Sequence, residues 1–199
     1  MELRVLGCLV EKQRTTPDTY PLSLNALRLA CNQATNRDPV VEYDEETIRA
    51  ALQRLGGRGW TRLASGPGSR AVKYRHLFGE ALRLDDADLA LLAVLMLRGP
   101  QTLGELKSRT ERLHRFESIA AVEERLNALR ERELVARLPR RPGQKEERFA
   151  QLLGAEAGEG VPEAPTAPAS VGDDRLARLE ARLAAVEDEV AALRGGGDE

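Results

Sequence analysis

"DEETIRAALQRLGGRGWTRLASGPGSRAVKYRHL", residues 44–77, reads as one helix followed by a hairpin. Asp44 has the side chain of an N-cap, and the acids behind it sit at the positive end of the helix dipole. Ile48, Leu52 and Leu55 form an apolar stripe at helical spacing, and the paired glycines stop the helix. "WTRLAS", "GPGSR" and "AVKYRHL" then follow as strand, tight turn and strand. Upstream, residues 2–13 put Leu3, Leu6, Leu9 and Val10 on one helical face. "TTPDTYP" breaks the chain at Pro17 and Pro21. A second helix starts from an N-cap at Ser23, carries Leu24, Leu27 and Cys31 inward, and ends in "NQATNRDP". Three helices and a hairpin make a winged helix, a variant of the helix-turn-helix.

The same order returns about 80 residues later. "DDADLALLAVLMLRG", capped by Asp85 or Asp86, is a first helix, and "QTLGELKSRT" is a short second one. "ESIAAVEERLNALRERE" is a third, with Ile119, Val122, Leu126 and Leu129 inward. "LVARLP", "RRPGQK" and "EERFAQLL" repeat strand, wing and strand. The expected fold is therefore mainly α with small β wings: two tandem winged-helix domains, residues 1–78 and 79–153. Residues 154–172, rich in Gly, Ala, Pro and Glu, form a linker with too little apolar surface to fold. Leu176, Leu179, Leu183, Val186, Val190 and Leu193 then step by three and four, the seam of a coiled-coil helix over 173–194. Its flanking charges favour self-association as a parallel homodimer, the alternative being a single helix that folds back onto the winged modules.

Aromatic residues make up only 4% of the 199-residue chain, so the core is built from Leu, Val and Ala. The net charge of −2 is unevenly spread. From Gly154 onward eleven acids face four arginines, a net of −7, which leaves +5 on residues 1–153. A basic body with an acidic tail points towards an anionic partner. The longest apolar run, "LALLAVLML", is about half a membrane span and is flanked by charges. No signal peptide is evident at the N-terminus, so a cytoplasmic location is expected. Cys8 and Cys31 both fall in helical patterns and read as buried thiols; two such ligands alone make no zinc site. His76 and His114 lack surrounding nucleophiles or ligands, and no phosphate loop, dinucleotide fingerprint or HExxH occurs. No enzyme, metal or cofactor is expected.

"TTPDTYPLSLNALRLACNQATNRDPV", with "LGCLVEKQ" before it and "LLAVLMLRGPQTLGEL" in the second half, resembles the YceH family of bacterial proteins. The likeness covers residues 2–153. It implies a fold of two winged-helix domains and carries no reaction or ligand; DNA binding is an inference from that fold.

The main electrostatic feature runs from Thr47 to Gly79. It holds Arg49, Arg54, Arg58, Arg62, Arg70, Lys73 and Arg75 with no Asp or Glu. These positions cover most of the third helix and the first wing, elements that meet a groove and its backbone in winged helices. Arg137, Arg140, Arg141 and Lys145 give the second wing a similar charge. The acids opening the third helix would repel phosphate, so the expected mode is phosphate contact by the wings with weak sequence preference. Asn32, Gln33, Asn36, Arg37 and Asp38 occupy the turn before that helix. They either contact phosphate or a partner, or they cap the helix end, with Arg37 paired to Asp38 or to orphan carbonyls. The other function class is a scaffold whose winged helices bind protein.

Overall fold

The computed structural model describes residues 1–65, 71–140 and 144–154. These residues lie in one compact unit. The first half runs α1 (Glu2–Thr15), a 3-10 turn (Pro17–Thr19), β1 (Leu22–Ser23), α2 (Leu24–Cys31), α3 (Glu45–Gly57), β2 (Thr61–Leu63) and β3 (Lys73–His76). A short α4 (Phe78–Leu82) straddles the boundary expected at 78/79. The second half runs α5 (Asp86–Arg98), α6 (Leu103–Thr110), α7 (Ile119–Glu131), β4 (Val135–Leu138) and β5 (Arg148–Gln151). The fold is helix-rich with two small antiparallel sheets. The expected linker and heptad seam, 154–172 and 173–194, lie outside the described residues apart from Gly154.

The helices begin where their caps dictate. Ser23, Asp44, Asp85, Thr102 and Ser118 each accept a hydrogen bond from the backbone N–H three residues on. Asp85 with Asp88, and Thr102 with Glu105, complete reciprocal capping boxes.

A pairing that the strand patterns do not announce ties each half together. Leu22 and Ser23 pair with Tyr74 and Lys73, so β1 joins the hairpin in the order β1-β3-β2. In the second half Gln101 takes that place, exchanging backbone hydrogen bonds of 3.0 and 2.7 Å with Phe149. Both pairings directly precede a capped helix, so the repeat extends to this detail.

The central helix is α5, buried at every position from Ala87 to Leu97. A helix apolar on all sides belongs in an interior, which accounts for "LALLAVLML". No helix among the described residues is long and apolar enough to cross a membrane. α5 packs against α1, and Gly7 of α1 faces Met96 and Leu97 with no room for a Cβ. Phe78 is fully buried and meets Trp60 edge-on at 5.2 Å, so α4 packs onto the first half. Cys8 and Cys31 are free and buried where α1 meets α2. The hydrogen bond that the Cys31 thiol donates to Cys8, and then burial, push its pKa upward, so it stays protonated and unreactive.

One inward assignment is corrected. Ile119 is 50% exposed, whereas Val122, Leu126 and Leu129 are buried as their spacing requires. Ile119 is the first residue of α7, and its turn overhangs the end of the core.

His76 is buried in β3, with Nε2 2.6 Å from Gln13 Oε1 and Nδ1 without a partner among the described residues. Burial, and then the charges of Arg75 and Arg14, hold its pKa down to about 4 from 6.5. The folded chain thus keeps a neutral imidazole that donates to Gln13, while the unfolded chain takes up a proton below pH 6.5. The resulting stability is complete above that pH and is lost as pH falls towards 4, on the order of 3 kcal/mol in all. Denaturant midpoints at about pH 7 and about pH 4.5 measure this loss. His76→Gln should remove most of the difference; an equal acid loss in that variant would assign it to other groups.

Candidate nucleic-acid interface

The acid-free run is free of acids only along the chain. Glu2, at the start of α1, accepts a hydrogen bond from Arg54 Nε and lies 3.4 Å from Arg58 Nη1. Arg58 also stacks over the Trp60 ring at 5.4 Å. Arg75 pairs with Glu80 at 2.5 Å. Three of the seven expected cations therefore have an acidic neighbour, in partly exposed pairs of small energy that phosphate could displace.

Three others have no acidic partner among the described residues. Arg49 is exposed on α3 and Arg62 is exposed on β2, and neither has an acidic partner among the described residues. Arg62 lies directly opposite Arg75 in the strand register. Lys73, two residues along β3, shares their face of the sheet and also lacks an acidic partner among the described residues. Like charges set opposite each other weaken a strand pair, a cost that an anion laid across them would relieve. Arg70 lies outside the described residues. Glu45 and Glu46 are exposed in the first turn of α3, so that helix end repels an approaching phosphate.

In the second half, Arg137 Nε donates to Glu147 at 2.7 Å across the hairpin. Arg140 and Lys145 are exposed without an acidic partner among the described residues, and Arg141 lies outside them. With Arg137 and Glu147 they line a groove of about 560 Å³, whose apolar wall is Leu103, Ile119 and Phe149.

The polar turn is turned inward. Asn32 clamps the Tyr43 backbone, donating to its carbonyl at 2.8 Å and accepting from its N–H at 2.9 Å. Arg37, with a side chain 0% exposed, pairs with Glu11 of α1 rather than with Asp38. It reaches both carboxylate oxygens, at 3.1 and 2.5 Å, and donates to Ala30 O, Asn36 O and Gln33 Oε1. Asn36, at φ 60°, accepts from Arg98, and the Asp38 N–H donates to Leu97 O at 2.9 Å. The turn straps the first half to the C-terminal end of α5. Its one arginine is spent internally.

Residues 1–144 match the family described as "Protein of unknown function, DUF480". The chain belongs to this family. Members called UPF0502 protein include one from Pelobacter propionicus, 50% identical over 201 residues, covering 97% of this chain and 91% of its own. One from Geobacter sulfurreducens is 50% identical over 195 residues (97% and 88%), and one from Solibacter usitatus is 49% identical over 193 (97% and 91%). The YceH family named from the sequence motifs is this same DUF480 family.

The counter-charges Glu2, Glu11 and Glu80 escaped the sequence reading, because each comes from a different element than the residue it meets. The pre-helix pairings did leave a signal, since Leu22-Ser23 and Gln101-Thr102 both place a strand-capable residue just before a cap.

Proposed function

We propose that this chain is a non-enzymatic, cytoplasmic DNA-binding protein of two winged helices that holds duplex phosphates on its basic hairpins. The observation that carries this reading is the row of Arg62, Arg75 and Lys73 on one face of the first hairpin, two of them without an acidic partner among the described residues. Arg140 and Lys145 give the second hairpin the same character. Phosphate contact dominates, because the acids at the start of α3 stand where base reading would occur. Affinity therefore falls steeply with salt and varies little with sequence.

Changing Arg62, Lys73 and Arg75 together to Ala should lower affinity equally on unrelated duplexes. The slope of log affinity against log salt should fall by about 0.9 for each phosphate that is no longer neutralised, up to roughly three units. Fluorescence anisotropy across a salt series measures it, and an unchanged slope would remove this hairpin from the interface.

A protein-binding scaffold is the second reading. Ile119 supports it, half exposed beside Leu103 and Phe149 in the second groove, as do the exposed Leu63 and Val72 on the first hairpin. Wild-type chain that shows no salt-dependent DNA binding would favour it.

A further inference from the structure

Arg4 lies on the first turns of α1, yet it is 5% exposed. Its Nη2 donates to Pro39 O at 2.7 Å, and its Nη1 is buried without a hydrogen-bond partner among the described residues. No carboxylate among the described residues forms an ion pair with it. Buried guanidinium groups are normally paired, because desolvating a cation is costly unless an anion compensates it. Glu11 is engaged by Arg37, and Asp38, which lines the same cavity as Arg4, is exposed.

Arg4 is also one of the residues that line a cavity of about 320 Å³. The remaining wall is largely apolar, with Leu3 from α1, Leu95 and Met96 from α5, Val41 and Pro39 from the loop before α3, and Pro100. Asp38, Tyr43 and, from β5, Ala150 and Gln151 line it too, so both halves of the fold contribute. A cavity of this size with mostly apolar side chains and a few polar ones, Arg4 and Asp38 among them, has the form of a small-molecule site.

We propose that this cavity binds a small organic monocarboxylate, its head on Arg4 and its hydrocarbon body against Leu3, Leu95 and Met96. The fork of an arginine matches a carboxylate in two parallel hydrogen bonds. Arg4 supplies a cation for one carboxylate head, and Asp38 on the same cavity opposes a second negative charge. A phosphate monoester dianion therefore fits less well than a carboxylate.

The full chain is titrated with hexanoate, acetate, hexan-1-ol and hexyl phosphate, following melting temperature and heat of binding. Hexanoate should bind saturably, at least tenfold more tightly than acetate, which lacks the tail, and than hexan-1-ol, which lacks the charge. Hexyl phosphate should fall below hexanoate. Arg4→Met keeps an unbranched side chain without the charge; it should abolish hexanoate binding and raise the melting temperature of the ligand-free chain. Val41→Trp, which fills the cavity and leaves Arg4 in place, should also block binding. No saturable hexanoate binding would overturn the proposal, as would equal binding of hexan-1-ol or undiminished binding by Val41→Trp. A lowered melting temperature or loss of folding in Arg4→Met would overturn it too, since Arg4 would then serve only to hold the Pro39 loop.

Discussion

Replacing Arg37 by alanine lowers stability by about 3–5 kcal/mol, the range for removing one partner of a buried ion pair. The loss is a large share of the roughly 5–15 kcal/mol that holds a domain together. Glu11, 15% exposed, would keep a carboxylate with its bidentate partner gone. Ala30 O at the end of α2, Asn36 O and Gln33 Oε1 would each lose a donor. Arg37→Lys should rescue little, because an ammonium offers no planar fork for Glu11 and cannot reach the same set of acceptors. Denaturant unfolding measures the effect. In the Arg37→Ala, Glu11→Ala double variant the loss should be smaller than the sum of the single losses, the sign of a shared interaction. An Arg37→Ala variant with an unchanged midpoint would show that the strap contributes nothing to stability. The same experiment bears on function, for DNA affinity should follow the folded fraction if Arg37 is spent inside the protein.

Gly7→Val should cost about 3 kcal/mol or more, at the upper end of what overpacking a tight core does. A Cβ on Gly7 would stand 2.9 Å from Leu97 Cγ, 3.0 Å from Leu97 Cδ2 and 3.2 Å from Met96 Cβ. The Leu97 atoms can swing aside only into a packed interior, and Met96 Cβ moves only with the backbone of α5. Gly7→Ala carries the same clash but gains about 1 kcal/mol of helix propensity, so its net effect should be much smaller. Leu97→Ala removes the two nearest atoms. In the Gly7→Val background it should recover stability, although alone it opens a cavity and destabilises. Two losses that simply add would place the crossing of α1 and α5 elsewhere.

Much of the fold was legible because its signals are local. A cap and the N–H from which it accepts lie three residues apart, so Ser23, Asp44 and Asp85 mark helix starts without knowledge of any neighbour, and Thr102 and Ser118, which the sequence patterns did not single out, obey the same rule. Helical spacing marks an inward face equally well, as with Ile48, Leu52 and Leu55. It cannot tell where the core ends, and Ile119 shows the consequence. The spacing that buries Val122, Leu126 and Leu129 continues one turn past the packed interior.

The charges of the candidate interface were legible in sign and number, but their environment was not. Arg54 meets Glu2 across 52 residues, Arg37 meets Glu11 across 26, and Arg4 meets Pro39 across 35. Such partners are chosen by where α1 crosses the other elements, and no spacing rule along a chain encodes that crossing. The sequence by itself determined the order of helices and hairpins, their repetition and the basic character of the hairpins. Only the tertiary structure decided which cations stay open, which are neutralised, and that one arginine is enclosed beside an apolar cavity. Secondary structure follows from interactions within a few residues, whereas electrostatic partnership follows from distance in space, which packing alone sets.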